Sequence, residues 1–119
     1  MTILVEANRT AEFLIIPANG GRSFGVEQFD STTDWAGAAI PSGQVYAIVG
    51  GVTVAFDGDA VDGSEDAAGI LYAAVDAGAD VAETVVQRDT EVKRYKITAD
   101  GTDAEVDAAL LAIGIIVRD

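Results

Sequence analysis

The chain has 119 residues but contains no cysteine and no histidine. These two absences exclude a disulfide, a cysteine nucleophile, a serine–histidine–aspartate triad and the usual zinc sites. Aromatic residues are also scarce, at 7% of the chain, so we expect a core built mainly from alanine, valine, isoleucine and leucine. Half of the residues are nevertheless hydrophobic, which favours one modest globular core over a disordered chain.

Positively charged residues are also scarce. Twenty acidic residues oppose seven basic ones, which gives a net charge of −13. Nucleic acids and anionic membranes attract proteins through lysine and arginine, so we expect neither as a partner. The most apolar runs, residues 67–75 and 108–117, are shorter than the roughly 20 residues of a membrane-spanning helix. The first residues also lack a signal-peptide pattern, so we expect a soluble protein made in the cytoplasm.

The first 30 residues contain short apolar runs of β type that have no local partner. The first run is Ile3, Leu4 and Val5, and the second is Phe13, Leu14, Ile15 and Ile16. Such runs are either edge strands of the body or an extended arm that adds to the sheet edge of another protein. We predict an N-terminal arm over residues 1–30 and a compact β-rich domain over residues 31–119.

The rest of the chain predicts a mainly β fold with one or two short helices. Gly50-Gly51 separates two β-type runs, 44–49 and 52–56, which is a hairpin signal. Further strands are predicted over 69–75, 83–88, 91–97 and 115–117. Thr102 and Glu105 form a capping-box pair ahead of a stripe of helical period, which consists of Val106, Ala109, Leu110 and Ile113.

An acidic loop over residues 57–66 raises the question of a metal site. The EF-hand pattern fails in three places, which leaves an irregular cation site through Asp57, Asp59 and Asp62 or a solvated turn. We favour the turn, because Asp and Gly satisfy turn backbones. Carboxylate pairs arise by chance in so acidic a chain, and there is no glycine-rich phosphate motif. We therefore predict no catalytic residue, no cofactor, no metal and no enzymatic activity.

What remains is a protein that works by surface contact. Four of the seven basic residues form a strip that either binds an acidic neighbour or is a solvated strand face: Arg88, Lys93, Arg94 and Lys96. Trp35, in a turn-rich segment, either anchors an interface or caps the core. We predict that Trp35 and the basic strip make subunit–subunit contacts.

Several passages, in this order, resemble one protein family. They are Glu12–Leu14, Ala18–Ser23, Val54–Gly58 with the acidic loop after it, Ala67–Leu71, Val85–Val92 and Leu110–Arg118. This ordered set is similar to the lambda-type head decoration proteins of tailed bacteriophages.

The resemblance implies a β-rich fold that forms homotrimers on the outer surface of the expanded head, at three-fold and quasi-three-fold positions. It implies that the arm, with its two apolar runs, pairs with the major capsid protein, and that the trimers stabilise the head against DNA pressure without catalysis. The alternative is a stand-alone β-barrel that binds a host-surface carbohydrate or protein. That module would need an exposed aromatic patch drawn from Trp35, Tyr46, Tyr72 and Tyr95.

Overall fold

The computed structural model describes residues 13–16 and 23–119. Within these residues the chain forms eight strands, one α-helix and a 3₁₀ turn at Arg94–Lys96. The strands are β1 (Leu14–Ile16), β2 (Phe24–Asp30), β3 (Val45–Val49), β4 (Val52–Ala55), β5 (Gly69–Leu71), β6 (Asp80–Val86), β7 (Thr90–Lys93) and β8 (Ile115–Arg118), and the helix is α1 (Asp103–Leu111). The predicted β-rich fold with few helical residues is confirmed.

Five strands form an antiparallel sheet in the order β2-β6-β5-β3-β4. The predicted hairpin is its β3–β4 pair, and Gly50 and Gly51 take φ values of 61° and 84°, in the left-handed region that favours glycine. The two edge strands, β2 and β4, contact each other, and the Thr53 hydroxyl donates to the Gln28 carbonyl over 2.9 Å. The sheet therefore curls into a nearly closed barrel.

A second layer covers part of the outside of this barrel. It contains the sheet β1-β7-β8, in which β1 runs antiparallel and β8 parallel to β7. A parallel pair needs a crossover connection, and here the 3₁₀ turn and α1 supply it.

Two apolar cores result from this arrangement. The barrel core consists of Phe29, Ile40, Tyr46, Leu71, Val75 and Val85. The interlayer core lies between barrel and second layer and consists of Phe13, Val45, Phe56, Ala67, Ile70, Val86, Val92, Val106, Leu110 and Ile115. The second layer is thus part of the folded body.

The helix forms as its sequence predicts. The Thr102 hydroxyl accepts from the Glu105 amide, and the Glu105 carboxylate accepts from the Thr102 amide, which completes the capping box. Val106 and Leu110 enter the interlayer core, with Ile113 packed beside them. After the helix, Gly114 takes a φ of 82° and turns the chain into β8.

Two predicted strands are shorter in the structure. β5 ends at Leu71, and Val75 makes an isolated bridge to Ile40. β7 ends at Lys93 because the chain leaves the second layer there and crosses to the barrel, where Thr98 pairs with Gln44.

The predicted boundary between arm and body at residue 30 differs from the structure. β2 lies within residues 1–30, but it pairs with β6 along its whole length and contributes Phe29 to the barrel core. Phe13 is 1% exposed in the interlayer core, and β1 pairs with β7. These strands belong to the body because their apolar side chains fill its cores. Residues 1–12, with Ile3, Leu4 and Val5, lie outside the described residues, as do residues 17–22.

Two neighbouring leucines test the interlayer core. Leu110 is 0% exposed, whereas Leu111 is 64% exposed. We expect Leu110→Ala to lower the free energy of unfolding by about 2–5 kcal/mol, because it leaves a cavity. Leu111→Ala, the matched control, should change it by less than about 0.5 kcal/mol. Urea denaturation measures both, and equal effects would contradict the assigned packing.

Candidate interaction surfaces

Arg94, in the predicted basic strip, is paired inside the chain. Its two terminal nitrogens donate to the two carboxylate oxygens of Asp107 over 2.7 and 2.8 Å. Its Nε donates to the Asp119 carboxylate, and Asp103 Oδ1 lies 3.7 Å from Nη1. This arginine clamp joins the 3₁₀ turn to α1 and to the end of β8. One of the four basic residues for which a subunit contact is predicted is therefore paired within its own chain.

The clamp shifts the pKa values of Arg94 and Asp107. Hydrogen bonds from Arg94 hold the pKa of Asp107 below its usual range, because they favour the ionised carboxylate. The hydrogen bonds that Arg94 donates to Asp107 and Asp119 raise the pKa of Arg94. A planar guanidinium donating both branches to one carboxylate is also geometrically specific.

Lys93 lies on the solvent side of the three-stranded sheet. Thr90 and Val92 are buried, so the alternation along β7 places Glu91 and Lys93 on the opposite face. Arg118 of β8 donates to Glu91 over 2.6 Å, which is a second ion pair within the chain. Ile15 and Ile116, at 40% and 42% exposed, also lie in this second layer. The layer thus combines charged groups with exposed isoleucines.

The other predicted contact residues each have different contacts. Arg88 is exposed and donates to Gln87 over 3.2 Å. Lys96 places its ammonium 5.8 Å from the centre of the Tyr95 ring. Trp35 is half-buried against the barrel core, with its ring 6.2 Å from that of Phe29. The packing of Trp35 matches the core-capping alternative, and the structure does not bring it together with the basic strip.

The acidic loop is a hydrogen-bonded turn. Asp57 Oδ1 accepts from the Asp59 amide over 3.0 Å, and Asp62 Oδ1 accepts from both the amide and the hydroxyl of Ser64. The Ser64 hydrogen bonds lower the pKa of Asp62. Residues 13–16 and 23–119 contain no group of three acidic side chains arranged to hold a metal ion. The geometry therefore matches the solvated turn that the sequence favours.

The loop brings its carboxylates close to the start of α1. Repulsion from Glu105 is the main cause that raises the pKa of Asp59, and Asp57 and Asp100 add to it. The backbone explains this proximity, since Gly58 N donates to Asp100 O over 2.8 Å. The carboxylates thus produce a concentrated negative potential on this side of the body.

A groove that sequence analysis missed runs between the β3–β4 hairpin and the acidic loop. Its volume is about 430 Å³, and it has an apolar floor of Val49, Val52, Val54 and Phe56 and an acidic rim of Asp57, Asp62 and Asp100. We call it the valine groove. The valines that alternate on either side of Gly50-Gly51 are its sequence signal, but only the folded loop shows that an acidic rim lies over them.

The four aromatic residues of the alternative function do not form a patch. Tyr46 is 0% exposed in the barrel core, and burial raises its pKa to about 12. Tyr72 is half-buried, edge-on to Phe24 at 5.6 Å between ring centres. Of the four, Tyr95 alone is exposed, at 71%.

The arginine clamp predicts a loss of stability that depends on pH. We expect Arg94→Ala to lower the melting temperature at pH 7, with Arg94→Lys in between, since lysine keeps the charge but not the two-pronged geometry. The folded-state pKa of Asp107 is lowered, so the pair stabilises above the unfolded carboxylate pKa of about 3.9 and loses its effect as the pH falls through the folded value. The melting temperatures of the wild type and the two variants should therefore converge as the pH is lowered. A difference between wild type and variants that stays constant as the pH falls through the folded-state pKa of Asp107 would contradict the clamp.

The carboxylates around Asp59 predict that a substitution stabilises the protein at neutral pH, the opposite of the effect expected at Arg94. A raised folded-state pKa means that folding disfavours the ionised Asp59, a cost that disappears as the pH falls through that pKa. We expect Asp59→Asn to raise the melting temperature at pH 7 and the gain to shrink on acidification. Asp66→Asn, an exposed control in the same loop, makes the same change in net charge. Equal gains from both variants would show that the effect is one of total charge.

The structure and the comparisons with known proteins together place the chain in a family. In the described part of the chain, no helix is both long and apolar enough to cross a membrane. No curated protein matches the chain. A family model, described as bacteriophage lambda head decoration protein D, matches residues 3–115. The match covers nearly the whole chain, and the chain therefore belongs to the bacteriophage lambda head decoration protein D family.

Proposed function

We propose that this protein decorates the outer surface of the expanded head of a tailed bacteriophage, where homotrimers at three-fold and quasi-three-fold sites bind the major capsid protein and stabilise the shell against DNA pressure. The single observation that carries the proposal is the family match over residues 3–115. The family's name supports decoration of a phage head, and the trimer, the outer face and the stabilising role are the proposed details.

The charge of the chain supports the outer surface. At −13, the protein is repelled by packaged DNA, so it is better suited to the side of the shell that faces away from the genome. The high negative charge also favours solubility in the free protein. The proposed role is structural and needs no catalysis, in agreement with a chain that lacks cysteine and histidine.

The proposed capsid-binding arm is shorter than the one predicted from the sequence. Phe13 and Leu14 pack into the interlayer core, so they are committed to the body. We propose that residues 1–12, with the apolar run Ile3, Leu4 and Val5, pair with the major capsid protein, because an extended apolar segment is suited to strand addition.

Binding to capsids tests the function directly. We expect the protein to co-sediment saturably with expanded, undecorated capsids of the major capsid protein from the same genome, near one copy per capsid subunit. Unexpanded shells are the control and should bind little. The absence of binding to both shells would contradict the proposal.

A truncation tests the arm separately. We expect removal of residues 1–12 to leave the melting temperature nearly unchanged and to abolish co-sedimentation. Removal of residues 1–16 should instead destabilise the body, because it deletes Phe13 and β1. Full capsid binding by a folded 13–119 fragment would show that the body carries the contact.

No observation favours the host-surface module as a second candidate. Its aromatic residues are dispersed between the barrel core, the barrel wall and the 3₁₀ turn.

A further inference from the structure

The valine groove has the composition of a docking surface. Val52 is 43% exposed at its floor, beside the half-buried Val54. The loop wall is fixed, since Asp57 N donates to Ser64 O over 2.9 Å and the loop passes close to Val49 at Gly63. A group that binds in the groove therefore needs an apolar surface that can cover the valines.

The rim of the groove adds a second requirement, for positive charge. Asp57, Asp62 and Asp100 line it, and Asp62 and Asp100 are exposed. Repulsion from neighbouring carboxylates, Glu105 foremost, also raises the pKa of Asp59, which lies in the same acidic loop. A cation placed at the rim would relieve it.

The same chain presents a feature that meets both requirements. The 3₁₀ turn projects Tyr95, which is 71% exposed and has the largest exposed fraction of any aromatic side chain in the described residues. The ammonium of Lys96 lies 5.8 Å from the centre of that ring. Tyrosine is enriched at interface hot spots, because it offers a rigid apolar face and a polar tip.

We propose that the valine groove of one copy receives the Tyr95–Lys96 turn of a second copy, in a head-to-tail contact. The ring covers the valines and Lys96 lies at the acidic rim. In one copy the two surfaces are joined by residues 96–100, which span at most about 14 Å. A head-to-tail contact gives a ring when its rotation closes and an open filament when it does not, and the proposed trimer requires the ring. The inference rests on the proposed function, which requires several copies to associate.

Sedimentation velocity of the full chain tests the contact from both sides. On the groove side, Val52→Thr keeps the shape and strand preference but adds a hydroxyl, and Asp100→Lys reverses a rim charge. On the turn side, Tyr95→Ser removes the ring and Lys96→Glu reverses its charge. Matched controls are Val61→Thr, at a valine that is 95% exposed and outside the groove, and Asp66→Lys.

We expect each of the four variants to weaken self-association by about tenfold, with the controls unchanged. The Asp100→Lys/Lys96→Glu double variant should regain much of the association, because the opposite charges meet again. A wild-type chain that stays monomeric at all concentrations would overturn the proposal, as would variants that associate normally. If one variant fails to fold, the variant on the opposite surface decides the question.

Capsid co-sedimentation of the same variants separates this inference from the proposed function. If the variants bind capsids normally and also self-associate like the wild type, the head-to-tail contact alone is wrong. If the wild-type chain itself does not bind capsids, the proposed function is wrong.

Discussion

The interlayer core is the constraint on which the rest of the structure depends. On β3, β5 and β6, consecutive residues such as Val85 and Val86 enter different cores, so these strands are apolar on both faces. A barrel with such strands exposes a hydrophobic wall unless a second layer covers it. Phe13, which directly precedes β1, supplies that cover together with Leu110 of α1 and Ile115 of β8. The early strand β1 is therefore bound to the body.

Charge sets the second constraint. The chain carries −13, yet Arg94 and Arg118 are paired with carboxylates of the same chain. Three copies at −13 each would carry −39, so assembly needs apolar burial or local cation–carboxylate contacts to offset repulsion. The valine groove and the Tyr95–Lys96 turn together offer both. An acidic exterior is then compatible with close packing of copies on a shell.

Local patterns in the sequence were sufficient for the β-rich fold class, the Gly50-Gly51 hairpin and the capping box of α1, because each depends on residues adjacent in the chain. The role of Arg94 was not predictable in this way, since Asp107 and Asp119 lie 13 and 25 residues further along the chain. Phe13 was assigned to an arm because nothing near it in sequence could bury it, and its partners come from strands and a helix far along the chain. The groove was missed for the same reason, as its floor and rim meet only after the loop folds.

The central claim is that this chain coats the outside of a phage head. Cryo-electron microscopy of expanded capsids, reconstructed with and without the added protein, tests it most directly. The account predicts extra density on the outer surface at the three-fold and quasi-three-fold positions, three copies to each site. Difference density on the inner surface, or none at saturating protein, would contradict it.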